Sequence, residues 1–482
     1  MVLFKLTERS LGFISTLILA RLLVPADFGL VAMATALMAM MELLTAFGFD
    51  WALIQRADAE RRHFDTAWTM NLLCGMFTAV AMVLLAVPVS HFYSEPRLTS
   101  VVPVLAIGPL VQAFENIGTV YFRKNLAFQR EFLFQVGKKL AMFAITIPLA
   151  WWLHSYWALV AGIVTGKVMA VILSYRLHPY RPRLSLAAWA DLIGFSKWLL
   201  INNLLLFLRE RGADFIIGRL AGARALGIFT MGAEIANLPT TQLVAPINRA
   251  VYPGYTRMAE HSGALRSGFL GVVAMIALLG TAAGTGIAAV APLLVKVLLG
   301  ERWVDSVPVM QIVAFAGVLT ALQTNSYSVF LALGRPDLQT RIQCIYVALL
   351  IPLIILGMRS RGLEGAAAAF VLATAAVLPL NFGLLMRRLE MKLSDVLSPM
   401  WRPLLACVMM YFVLRHLISR EDPTLHGLSG LLAAVGLGMF VYGATITLVW
   451  LLAGRPDGAE RMIATRVSEF VRARTRHGAG AG

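Results

Sequence analysis

Fourteen runs of about 20 mostly apolar residues, each closed off by charges, glycine or proline, divide this 482-residue chain. A run of that length is what a helix needs to cross the hydrocarbon of a bilayer, and it is about twice what a transmembrane strand needs. Lipid offers the backbone no hydrogen-bond partners, so the runs are expected as α-helices that pair their own peptide groups. Composition agrees: 59% of residues are hydrophobic and 14% charged, against about 45–50% and about 25% in soluble domains, and the mean hydropathy is +0.75. The reading is an all-α polytopic membrane protein.

The first six runs cover about 2–23, 28–47, 66–89, 99–121, 136–153 and 157–175. A basic linker precedes six more, at 192–220, 226–247, 269–299, 307–333, 342–358 and 362–386, and a final pair covers 403–418 and 428–452. The first run carries Lys5 and is followed by Arg21-Leu-Leu-Val-Pro-Ala-Asp27. That is no small-residue cleavage site, so it is expected as a retained helix and not as a signal peptide.

The net charge of +16 suggests nucleic acid at first sight. Its distribution says otherwise. With the N-terminus inside, 29 of the 42 Lys and Arg residues fall in alternate segments on the inner side and 10 on the outer. Short inner loops rich in Lys and Arg are how membrane proteins encode orientation, so both termini are expected in the cytoplasm. Lys167, Arg209 and Arg211 remain inside helices.

Short strings recur at offsets near 200. Arg21 to Gly29 is echoed by Arg219 to Gly227, Val101-Val-Pro-Val104 by Ser306-Val-Pro-Val309, and Ile147-Pro-Leu149 by Ile351-Pro-Leu353. A six-helix unit, having an even number of spans, enters the membrane twice in the same direction. That parallel-repeat layout is common among transporters, although membrane proteins of other functions also duplicate. The expected organisation is a six-helix lobe over 1–180, a second over 181–390, two further helices over 391–454 and a basic tail over 455–482.

Enzyme chemistry finds little support. Gly162-Ile-Val-Thr-Gly-Lys167 lacks the P-loop spacing and lies within a helix, which excludes direct ATP use by that motif. Cys74, Cys344 and Cys407 are far apart, and the eight histidines form no His-Glu-x-x-His pair. No cofactor, no metal and no catalytic residue is expected. A glycan-polymerising enzyme would call for a larger extramembrane loop than the links of about twenty residues seen here.

Ionisable residues inside spans are costly, and by default they suggest function. On the seventh run Asn203, Glu210 and Asp214 share one narrow stripe, with Arg211 at its flank and one turn from Asp214. Lys167 in the sixth run and Glu234 in the eighth complete the candidate cavity residues. Glu42 and Glu115 are equally readable as cavity groups or as interfacial ones. Arg209 faces away from the stripe and reads as an anchor, and Arg21 and Arg219 as helix-end caps.

Several strings together are diagnostic: Ala20-Arg-Leu-Leu-Val-Pro-Ala-Asp-Phe-Gly-Leu-Val-Ala32, Phe47-Gly-Phe49 with Ala52-Leu-Ile-Gln-Arg56, Trp157-Ala-Leu-Val-Ala161, Pro246-Ile-Asn-Arg249 and Leu333-Gly-Arg-Pro-Asp337. The chain resembles the Wzx-like polysaccharide flippases, the polysaccharide transporters of the multidrug/oligosaccharidyl-lipid/polysaccharide exporter superfamily. The resemblance implies a V-shaped pair of six-helix lobes plus two helices. Its implied cargo is an undecaprenyl-diphosphate-linked oligosaccharide, moved across the bacterial inner membrane for exopolysaccharide, capsule or O-antigen. It implies Lys167 and Arg211 as partners for the diphosphate, Asn202 and Asn203 for sugar hydroxyls, membrane lipids around the tail, and a polymerase and export proteins as partners. Members usually carry more residues before Ala20, so the first helix is expected tilted and partly interfacial, or the start upstream. Two alternatives stand beside it: a drug or cation exporter of the same superfamily, and a non-transporting partner of a polysaccharide synthase.

Overall fold

A computed structural model describes residues 2–45, 48–56, 58–189, 196–419, 427–456 and 458–462. Helices account for all regular structure among them. In chain order they are α1 (Val2–Leu22), α2 (Pro25–Leu44), α3 (Phe49–Gln55), α4 (Arg61–Tyr93), α5 (Leu98–Gln112), α6 (Val120–Lys124), α7 (Phe128–Leu153), α8 (Trp157–Leu177), α9 (Ser196–Ala236), α10 (Ala245–Met258), α11 (Ser262–Leu294), α12 (Ser306–Ala332), α13 (Pro336–Leu389), α14 (Leu393–Leu397), α15 (Trp401–Ser419) and α16 (Gly427–Leu452). Ten of the described helices are long and apolar enough to cross a membrane, and eleven if one bent pair is counted as a span.

The long runs become helices because each pairs its peptide groups internally and presents side chains to lipid. Leu73, Phe77, Val80, Leu84 and Val87 of α4 are exposed on this account, as a bilayer permits and water would not. Chain breaks fall where side chains supply new partners. The single run expected over 99–121 is in fact bent by 67° between α5 and the 3₁₀ turn Ile117–Thr119 that leads into α6. Asn116 directs the bend: its Oδ1 accepts from the Gly118 amide at 2.9 Å, and its Nδ2 donates to the carbonyls of Tyr180 at 2.7 Å and His178 at 3.3 Å. A buried amide satisfied on both sides holds the backbone in a turn that apolar residues could not cap.

The continuous helical run of α13 is two helices. Arg361 and Gly362 leave helical geometry, Gly362 with φ +59, and a Cβ on Gly357 would collide with the Gly365 carbonyl. Eight residues of straight helix span about 12 Å, so this contact requires the chain to double back. Glycine is needed at Gly362 because a side chain is strained at that φ. The division matches the two runs read from sequence. α9 is interrupted in the same way at Gly222, with φ +79.

The chain forms two compact units, Met1–Thr230 and Met231–Gly482. In the first, Gly29 of α2 and Gly227 of α9 cross so closely that a Cβ on Gly29 would strike the Ala223 carbonyl and one on Gly227 the Pro25 carbonyl. Each contact is the other shifted by the repeat offset, so the two copies of the Arg-to-Gly string meet each other. Arg219 stands in the last turn of the first leg of α9, just before the break at Gly222, and its Nη1 donates to Ser94 Oγ at 3.1 Å. The second unit packs around a buried cluster that includes Phe269, Val273, Ile276, Leu322, Phe330 and Leu385.

Candidate functional site

Lys167 stands at the middle of α8. Its stem passes Gly108, where an added Cβ would be 3.7 Å from Lys167 Cγ. The ammonium donates to Gln112 Oε1 and lies 3.6 Å from Glu42 Oε1. Glu42 comes from the end of α2 and Gln112 from the end of α5, so three helices supply the group. The lysine side chain is 24% exposed and that of Glu42 40%, so the pair is shielded and still reachable. Glu115, in the bend after α5, is half-buried and feels the charges of Lys138, Asp50, Lys167 and Arg123. An ammonium can donate charge-assisted hydrogen bonds to an anion, and here it is held by one carboxylate and one amide oxygen.

A second pair lies on α9. Arg211 Nη1 meets Asp214 Oδ2 at 3.2 Å, with the arginine side chain 44% exposed and the aspartate 7%. The spacing of three residues predicted the contact. The stripe itself divides: Asp214 is buried, Asn203 half-buried and Glu210 exposed, so only Asp214 is enclosed. Tyr93, the last residue of α4, closes over this stretch. Its ring stacks on Phe215 at 6.2 Å and would lie 2.7 Å from a Cβ on Gly218. Its hydroxyl is buried without a hydrogen-bond partner and feels the Asp214 charge. Glu234 is exposed and belongs to the second unit, and the Asn202 side chain lies outside the described residues. Arg209 is half-buried. The two ion pairs are separate, one built across helices and one within a helix.

The linker after α8 is strapped to unit 1. Asp65 Oδ1 accepts from the Tyr180 hydroxyl at 2.8 Å and the Arg183 amide at 2.9 Å, while Thr69 and Thr66 hydroxyls accept from the Ser185 and Ala188 amides at 3.0 and 3.2 Å. Burial and the bond to Asp65 push the Tyr180 hydroxyl up from its ordinary pKa. Burial pushes the His178 imidazole down, with Arg130 and Arg181 adding to the shift.

Gln112 and Tyr93 were missed in the sequence, and so was a set of uncharged groups in the second unit. There the Tyr255 hydroxyl bonds Asn325 Oδ1 at 3.0 Å and Asn248 Nδ2 bonds Thr324 Oγ1 at 2.9 Å, while Ser326 Oγ and Asn381 Oδ1 are buried without partners. Asn248 was visible within the Pro-Ile-Asn-Arg string; the rest had no charge to mark them. Among the described residues no cluster of three His, Cys, Asp or Glu suited to a metal occurs.

Residues 18–308, more than half of the chain, match the family described as "Polysaccharide biosynthesis protein". Among relatives, the lipopolysaccharide biosynthesis protein WzxC of Escherichia coli (strain K12) is 24% identical over 366 residues, covering 75% of this chain and 74% of that protein. The teichuronic acid biosynthesis protein TuaB of Bacillus subtilis (strain 168) is 26% identical over 301 residues, covering 62% of each. The succinoglycan biosynthesis transport protein ExoT of Rhizobium meliloti (strain 1021) is 21% identical over 326 residues, covering 67% of this chain and 66% of that protein. Among solved structures, the lipid II flippase MurJ in an inward closed conformation superposes with a TM-score of 0.73 at 10% identity, over 94% of this chain and all of that one. An inward-facing multidrug transporter of the MATE family gives 0.62 at 13% identity, over 81% and 98%. The fold is therefore that of polytopic membrane transporters, and the chain belongs to the polysaccharide biosynthesis protein family of Wzx-like membrane transporters.

Proposed function

We propose that this protein is a flippase for oligosaccharides carried on a polyprenyl diphosphate, translocating repeat units across the bacterial inner membrane for exopolysaccharide, capsule or O-antigen. The observation that carries the reading is the mid-helix ammonium of Lys167, held by Glu42 and Gln112 from two other helices. A diphosphate crossing hydrocarbon needs cationic partners that are enclosed yet exchangeable. Family membership and the names of WzxC, TuaB and ExoT place relatives in polysaccharide synthesis. In this reading Lys167 and Arg211 take the diphosphate, Asn203 and Glu210 meet sugar hydroxyls, Asp214 holds Arg211 in place, and Glu234 lines the path in the second unit. The lipid tail stays in the bilayer, and rocking of lobes 1–180 and 181–390 exposes the path alternately.

About fourteen spans belong to the same proposal. The second leg of α13, the stretch of α9 beyond Gly222, the bent α5–α6 pair and the apolar Leu11–Leu22 are added to the ten. An even count with cytoplasmic termini, a basic tail over 455–482 and a working association with polymerase and export proteins complete the reading, with no catalysis by the chain itself.

The test is reconstitution. Vesicles containing the protein should move a labelled lipid-diphosphate sugar across the bilayer, and protein-free vesicles should not. Vesicles that export cationic drugs and leave the lipid-linked sugar in place would overturn the proposal in favour of a drug exporter.

A further inference from the structure

A cavity of about 350 Å³ lies in the second unit, apart from both ion pairs described above. It is built from helix ends. Glu260 follows α10 and stands just before α11, Arg335 lies in the turn between α12 and α13, and Arg388 lies near the end of α13. The ends of helices that cross a bilayer sit at the level of its headgroups. The floor is apolar and closed, with Leu265, Phe330 and Leu389 all buried. The rim carries charges of both signs. Arg335 forks onto Asp337, with Nε and Nη2 at 2.9 and 3.0 Å from the two carboxylate oxygens, which leaves Nη1 for a ligand. Arg388 and Glu260 are exposed. α11 also begins here, at Ser262, and the amides of a helix's first turn favour an anion.

Two guanidinium groups and one carboxylate around an apolar floor do not suit a simple anion, which Glu260 would repel. They suit a group that bears a phosphate and an ammonium a few bonds apart and continues into an apolar chain. We propose that this cavity is a resident site for a zwitterionic phospholipid, with its phosphodiester on Arg388 and Arg335, its ammonium on Glu260 and its glycerol end on the apolar floor. Phosphate recognition by arginine is geometrically specific. The carboxylate makes the site selective, because a lipid without the ammonium leaves Glu260 beside a phosphate with no cation between them. The Leu-Gly-Arg-Pro-Asp string thereby acquires a role: it turns the chain between two helices and presents Arg335, fixed by Asp337, to the headgroup.

The test uses the purified full-length protein titrated with phosphatidylethanolamine or with phosphatidylglycerol of the same acyl chains, and bound lipid is counted by native mass spectrometry. Phosphatidylethanolamine should be retained about tenfold better, as expected for one added charge-assisted bond. Glu260→Gln should lower its retention to the phosphatidylglycerol level, and Arg388→Ala should lower retention of both. Both side chains are exposed, and unchanged thermal melting shows that the variants fold. Soluble glycerophosphoethanolamine should displace the lipid. Equal retention of the two lipids, a preference unaffected by Glu260→Gln, or no displacement by the soluble headgroup would each overturn the proposal. Retention by tails alone produces the first and the last of these results.

Discussion

Lys167 and Arg211 show how differently two cations can be held within one chain. Lys167 is fixed by groups 125 and 55 positions away in sequence, Arg211 by an aspartate one turn along its own helix. The Arg211 contact was therefore legible from spacing, and the Lys167 contact was not, since no local pattern connects position 167 to Gln112. If Lys167 meets the diphosphate, Lys167→Ala should abolish polymer export in cells with the protein still at normal abundance, and Arg211→Ala should do the same. Full export by both variants, with protein amounts checked by immunoblot, would refute the assignment. Glu95 offers a separate test outside the spans. Arg97 forks onto it with both contacts at 2.8 Å and holds its carboxyl below the usual range. A folded-state pKa below the unfolded one gives stability that is complete above the ordinary carboxylate value and is lost as pH falls through the folded value. The melting temperature of the natural protein should exceed that of Glu95→Gln at neutral pH, and the gap should close in acid. A gap unchanged down to about pH 3 would show that Glu95 is not ionised in the fold.

At the scale of elements, the apolar runs announced the helices, and the ends were set by features of other kinds. The reversal at Arg361–Gly362 falls where the apolar run was broken by charges and glycine, which is why sequence divided α13 correctly. The bend after α5 escaped because the segment 99–121 is apolar throughout its first half and Asn116 finds its partners in the distant linker. That linker also carries a prediction. Asp65→Ala removes the acceptor shared by the Tyr180 hydroxyl and the Arg183 amide, so hydrogen exchange at residues 180–185 should speed up while exchange within α8 stays slow. Exchange at 180–185 no faster than in the natural protein would mean that the strap is held by Thr66 and Thr69 alone. The Gly29–Gly227 crossing carries another. Gly29→Val puts atoms into the Ala223 carbonyl and should cost about 1–3 kcal/mol or more, as overpacking does. Gly212→Ala, in α9 with open space around the new methyl, should instead be neutral or gain about 0.5–1 kcal/mol of helix stability. Thermal melting in detergent reads both, and equal melting of the two variants would mean that the crossing is slack.

For the whole molecule, the bias of Lys and Arg to alternate segments predicts both termini on the cytoplasmic side. A fluorescent-protein fusion after Gly482 should fold and fluoresce, and an alkaline phosphatase fusion at the same place should be inactive; the reverse pattern would overturn the cytoplasmic placement of the C-terminus. By itself the sequence determined the solvent, the helical class, the orientation signal and the family, because hydrophobic length and charge placement act locally and survive without knowledge of any contact. Only the tertiary structure decided which charges are partnered and which polar groups are enclosed. Glu42, Gln112 and Lys167 meet because three helices pack together. Asp214 is buried and Glu210 exposed although both lie on one stripe, because Tyr93 closes over only part of it. Burial belongs to a helix's neighbours, and a sequence read one helix at a time has no access to them.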